Sequence, residues 1–147
     1  HLLRARRDQE AARRELSLEE RRAIHSQARL DVSDRIETRL RQLSDNFPGF
    51  QYETVFGDEG WGARITRDDL KFDPRRQSES LFSRLELVVT PLTSTPIIEV
   101  LAKGTVRNKE VFHRKHYQQL ELLDLAALEQ IVDSWVVEYA ELFAATG

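Results

Sequence analysis

One apolar stripe with helical spacing constrains the fold of this chain more than any other feature. Its members follow one another at intervals of 4, 4, 4, 4, 3 and 4 positions: Ile24, Ala28, Val32, Ile36, Leu40, Leu43 and Phe47. Such spacing places all seven side chains on one face of an α-helix. The stripe therefore predicts a helix of nearly thirty residues, and its last two heptads fit a coiled-coil pattern.

Both ends of this helix carry recognisable signals. Ser17 and Glu20 have the spacing of a capping box, which begins a helix near Leu18. Pro48 and Gly49 end it, because a residue before proline disfavours helical geometry and glycine frees the turn. The preceding residues are rich in Ala, Leu, Arg and Glu, which are strong helix formers. We therefore expect an Arg-rich helical arm over residues 1–22 and a single α+β domain over residues 23–147.

The middle of the chain has the alternating pattern of β-strands. Five segments alternate apolar and polar residues or are rich in β-branched ones: 50–56, 61–66, 83–90, 96–106 and 110–117. Residues 67–80 between the second and third strands are polar and interrupted by proline, so they predict a mobile loop that can carry a binding edge. A final helix follows Asp124, which can cap it, and has a broad apolar face. The predicted fold is α+β: an antiparallel five-strand meander packed against a C-terminal helix and preceded by a long N-terminal helical arm.

The run FGDEGWGARI contains three glycines in six residues and invites comparison with a phosphate-binding loop. A phosphate loop joins a strand to a helix, whose N-terminal amides hold the anion. Here Gly57 and Gly60 lie between two strand patterns, and the acidic pair between them would repel phosphate. The run therefore predicts a four-residue hairpin connection in which both glycines have positive φ.

Two histidines in the run FHRKHY have a spacing that can bind zinc when it falls on a helix. His113 and His116 fall instead in a strand pattern, where residues three apart point to opposite faces. We therefore predict no metal site and no cofactor. The serines and threonines form no nucleophile elbow, and no other catalytic motif is present. No catalytic residues are predicted.

Composition limits the cellular context. The chain has no cysteine, which suits a reducing compartment, so we expect a cytoplasmic protein. No apolar run approaches the ~20 residues that span a bilayer. Methionine is also absent and the chain begins at His1, so we expect a fragment of a longer protein.

Charge is divided unevenly along the chain. Residues 1–41 hold eleven arginines against eight acids, whereas the remainder is net acidic. An alternative function is therefore nucleic-acid binding through the arm and the last hairpin. Its predicted contacts are basic: Arg6, Arg7, Arg13, Arg14, Arg21, Arg114 and Lys115. Against it, acids are interleaved through the arm and the chain as a whole carries a net charge of −3.

The leading prediction is a non-catalytic protein–protein interaction or scaffold domain. The apolar stripe is narrow and mixed charges flank it, which is typical of helices that associate. We expect a homodimer, or a complex with a helical partner, formed through the N-terminal helices at six positions: Ile24, Ala28, Val32, Ile36, Leu40 and Leu43. The competing interpretation is that the stripe packs on the chain's own sheet. A further alternative is small-molecule binding between sheet and helix.

Overall fold

The computed structural model describes residues 16–71 and 79–146. The first helix, α1, spans Leu18–Asn46 and begins as predicted, because the hydroxyl of Ser17 accepts a hydrogen bond from the Glu20 amide at 3.1 Å. It continues without interruption past residue 22. Residues 1–15 of the predicted arm, and Arg6, Arg7, Arg13 and Arg14 with them, lie outside the described residues.

Five antiparallel strands form one sheet in the order of the chain, which confirms the predicted meander. The strands are β1 (Gln51–Gly57), β2 (Gly60–Lys71), β3 (Glu79–Val89), β4 (Ile97–Val106) and β5 (Lys109–Gln119). The glycine-rich run is the hairpin between β1 and β2. Gly57 and Gly60 pair with each other and have φ of +151° and +138°, so the chain reverses direction there without strain on a side chain.

β2 and β3 are longer than predicted, because much of the expected loop over residues 67–80 is a paired ribbon. Asp68 lies opposite Phe82, and Leu70 lies opposite Ser80. Asn108, from the next hairpin, donates to the Ser80 carbonyl and accepts from the Phe82 amide, both at 2.9 Å. These bonds satisfy backbone groups that the polar sequence alone predicted to be solvated. Residues 72–78 lie outside the described residues.

The second helix, α2, spans Leu125–Ala145 and is capped by Asp124, whose carboxylate accepts from the Ala127 amide at 3.1 Å. Both helices cover the same face of the sheet, and one hydrophobic core unites them with it. The helices run in the same direction, since Arg35 meets Asp133 near the middle of each helix and Phe47 meets Phe143 near their C-terminal ends. The α+β class is confirmed. Two helices cover the sheet, whereas the sequence predicted that the C-terminal helix would cover it and that an N-terminal helical arm would precede it.

A tyrosine on α2 contacts the sheet next to a β-bulge, whose extra residue is Val111 on β5. The register of β4 with β5 shifts between Gly104 and Thr105. The Tyr139 hydroxyl donates to the Thr105 carbonyl at 2.7 Å, and the tyrosine ring packs directly on Gly104. A Cβ at Gly104 would lie 2.9 Å from that ring, so glycine is required for this contact. Burial of the ring raises the pKa of Tyr139.

Candidate interaction edge

The residues predicted to form an association surface on α1 belong to the core of this chain. Ala28, Val32, Ile36, Leu40 and Leu43 are 0 to 4 % exposed, and Ile24 packs partly buried against them. The competing interpretation, in which the stripe packs on the chain's own sheet, therefore describes the fold. The stripe is not free to bind a second molecule. Whether residues 1–15 contribute to association stays a prediction.

Arginines explain how so narrow a stripe is covered. Arg29 lies over the Trp61 ring at 4.4 Å, and Arg41 lies over the Tyr52 ring at 4.2 Å. Their aliphatic stems and guanidinium planes extend the contact between α1 and the sheet beyond the apolar residues. The helix therefore needs no second molecule to cover its apolar face.

The described basic residues that were predicted to contact nucleic acid do not form one patch. Arg114 and Lys115 are consecutive on β5, so they project from opposite faces of the sheet. Arg114 pairs with Glu138 on α2 at 2.7 Å, and Lys115 pairs with Glu99 on β4 at 3.5 Å. Arg21 lies on the first turns of α1. Each of the two β5 cations already has a carboxylate partner.

The paired histidines also lie on opposite faces. His113 is opposite Lys103 and His116 is opposite Val100 in the β4–β5 register. Among residues 16–71 and 79–146, no group of three or more His, Cys, Asp or Glu side chains is arranged to hold a metal ion.

A groove lies between the two helices, not between sheet and helix where small-molecule binding was predicted. It has a volume of about 410 Å³ and lies between the C-terminal halves of α1 and α2. Its two charged side chains are bound to each other, since Arg39 donates to Asp133 at 2.8 Å, and Arg35 outside the groove also donates to Asp133, at 2.9 Å. The two guanidiniums, Arg35 first, lower the pKa of Asp133 to about 2. The groove therefore offers a ligand few unpaired polar groups.

The two edges of the sheet differ in charge. The β5 edge carries six charged or histidine side chains: Lys109, Glu110, His113, Arg114, Lys115 and His116. Charged edge strands resist pairing with other chains. The β1 edge has one charge, Glu53, which is held by Arg64 at 3.3 Å. β1 is therefore the edge with less protection against an added strand.

The backbone of β1 presents hydrogen-bonding groups to its free side. The hairpin loop has two residues, because both glycines of the predicted four-residue connection belong to the strands. Such a loop is closed by a pair that exchanges both backbone hydrogen bonds, which here is Gly57 with Gly60. Inward and outward groups alternate from that pair along the strand. The N–H and C=O groups of Tyr52, Thr54 and Phe56 therefore point away from β2. No described residue pairs with that side of β1.

The side chains of the β1 edge suit protein contact. Phe56 is 78 % exposed, the most exposed of the large apolar side chains described. It shares the helix-side face of β1 with Thr54 and Tyr52, and Arg41 stacks on the tyrosine. We call this surface the β1 edge: the outward backbone of Tyr52, Thr54 and Phe56 with their side chains.

Sequence reasoning found the strand but missed this edge. Alternation placed Tyr52 and Phe56 on one face and correctly predicted a hairpin at Gly57. Whether a strand is central or at an edge depends on pairings far along the chain, which local alternation does not encode. The available signal was the low charge of residues 51–57 compared with residues 109–119.

Comparison of this chain with protein-family models, with curated proteins and with solved structures finds no match. No described helix is both long enough and apolar enough to cross a membrane.

Proposed function

We propose that this protein is a non-catalytic protein–protein interaction domain of the cytoplasm and that it binds partners through the β1 edge. The observation that carries the proposal is the edge itself, where an almost uncharged strand carries, one residue before its end, a phenylalanine that is 78 % exposed. The absence of cysteine from the chain supports the cytoplasmic assignment.

Strand addition is the mode of binding that this geometry favours. An extended segment that lies beside β1 forms main-chain hydrogen bonds with Tyr52, Thr54 and Phe56, and these supply affinity. Side chains on the helix-side face then decide which segment binds. An aromatic or aliphatic side chain can lie against Phe56, and a carboxylate can approach Arg41, which stays at the surface over Tyr52.

Site-specific photo-cross-linking tests this proposal. A photoreactive phenylalanine analogue replaces Phe56, and a matched variant carries it at Leu122, an apolar residue that is 56 % exposed in the short helical turn after β5. Irradiation in cell extract is expected to join position 56 to an extended segment of a protein that mass spectrometry identifies. The same analogue at position 122 is expected to give no such product. No product from position 56, or the same products from both positions, would refute the proposal.

A further inference from the structure

We infer that the segment added to the β1 edge is β1 of a second copy of this chain. The two copies pair in antiparallel fashion about a two-fold axis at Thr54 and join their sheets into one of ten strands. This inference rests on the proposed function and names its partner. It follows from the register, charge and helix placement of β1.

Only three registers pair at least two of the three outward residues of β1 with outward residues of β1 in the second copy. Two antiparallel strands form close hydrogen-bonded pairs only where outward residues of both strands meet. With the axis at Thr54, Thr54 meets its own copy and Tyr52 meets Phe56 in both directions, so all three outward residues are used. With the axis at Glu53, Phe56 has no partner within β1 of the second copy. With the axis at Val55, Tyr52 has none.

Charge disfavours one of the two other registers. An axis at Glu53 places the two Glu53 carboxylates directly opposite each other, which is unfavourable. The axis at Thr54 places Glu53 opposite Val55 instead, while each Glu53 keeps its own Arg64. It also places Phe56 opposite Tyr52, an aromatic cross-strand pair, and Thr54 opposite Thr54. The register with the most hydrogen bonds is thus also free of opposed charges.

The helices leave room for this pairing. α1 packs mainly over β2 rather than over the edge strand. Strands are about 4.8 Å apart, so the two β2 strands in a pair of copies are separated by about 14 Å. Packed helices need only about 8–10 Å between their axes. The two α1 helices therefore do not collide, and the gap above β1 accommodates Phe56 and Arg41 of each copy. We expect a reversible dimer.

Single-cysteine cross-linking tests the register, and the natural absence of cysteine makes the result unambiguous. In the proposed pair the two Thr54 Cα atoms are about 5.5 Å apart, a distance that a disulfide spans. Thr54→Cys is therefore expected to form a disulfide-linked dimer under mild oxidation, well ahead of Glu53→Cys and Val55→Cys. Faster dimer formation by either of those variants, or equal rates for all three, would overturn the register.

Sedimentation equilibrium tests the partner. The wild-type chain of 17.1 kDa is expected to approach twice that mass as its concentration rises through the micromolar range. Phe56→Lys is expected to weaken self-association at least tenfold, and Leu122→Lys to leave it unchanged. Circular dichroism checks that both variants are folded. A wild-type chain that stays monomeric, or equal effects of the two lysines, would overturn the inference.

The inference and the proposed function can fail separately. If photo-cross-linking joins position 56 only to a different polypeptide, pairing with a second copy is refuted and the proposed interaction function stands. If position 56 gives no product at all, both fail.

Discussion

Replacing Asp133 by asparagine tests the contact that holds the two helices together. Asp133 on α2 accepts hydrogen bonds from Arg35 and Arg39, which lie one turn apart on α1. Asparagine keeps the volume of the side chain but removes its charge and one acceptor oxygen. We therefore expect a folded variant with a weaker attachment of α2.

The expected loss follows from the pKa of Asp133. That pKa lies at about 2, compared with an ordinary value of 3.8. By linkage the difference corresponds to at most about 2.4 kcal/mol of unfolding free energy at neutral pH. Water screens part of this interaction because the side chain is 29 % exposed. We expect about 1 kcal/mol for Asp133→Asn at pH 7.

The same pKa predicts how this loss depends on pH. Because folding lowers the pKa of Asp133, the unfolded chain takes up its proton first as the pH falls. The contribution of Asp133 is therefore complete above about pH 5 and disappears towards about pH 2. The difference between wild type and Asp133→Asn should shrink over the same range.

Urea denaturation followed by circular dichroism at several pH values measures this difference. Glu129→Gln is the matched control, because Glu129 approaches Arg35 only to 3.9 Å. We expect the control to lose less than half as much unfolding free energy at pH 7. Equal losses for the two variants, or a loss by Asp133→Asn that persists unchanged at low pH, would show that the ion pair does not hold the helices.

Three further predictions concern stability, and urea denaturation measures each of them. Tyr139→Phe should cost about 1–2 kcal/mol, because it leaves the Thr105 carbonyl without its donor; no loss would contradict this role. Gly62→Ala should cost about 2 kcal/mol or more, since the new Cβ would lie 1.9 Å from the Leu87 carbonyl oxygen; a neutral result would refute the close approach. Burial lowers the pKa of His25, so the imidazole takes up a proton at a higher pH in the unfolded chain than in the folded one. The wild type should therefore lose unfolding free energy as the pH falls from 7 to 5. His25→Gln should lose less over that range.

Local signals in the sequence predicted the elements well. The Ser17 cap and the turn at Pro48 and Gly49 gave the ends of α1, because capping chemistry depends only on adjacent residues. The hairpin at Gly57 and Gly60 followed from the freedom of glycine to adopt positive φ. Alternation located all five strands.

The same signals did not determine what each surface contacts. An amphipathic stripe requires burial but does not specify the covering surface, so the sequence was compatible with both a partner and the chain's own sheet. Arg29 and Arg41 help the chain's own sheet to cover the stripe, because they stack on aromatic residues of β2 and β1. Those aromatic residues lie beyond the helix in sequence. The exposure of Phe56 likewise depends on β1 being an edge strand, and that is a property of the whole sheet order.

Amide hydrogen exchange of β1, measured at increasing protein concentration, tests the role of the β1 edge most directly. The amides of Glu53 and Val55 point towards β2 and serve as internal references that are protected at every concentration. We predict that the amides of Tyr52, Thr54 and Phe56 exchange rapidly in dilute solution and become protected as the concentration rises. Rapid exchange of these three amides at all concentrations, or protection already present in the dilute monomer, would contradict it.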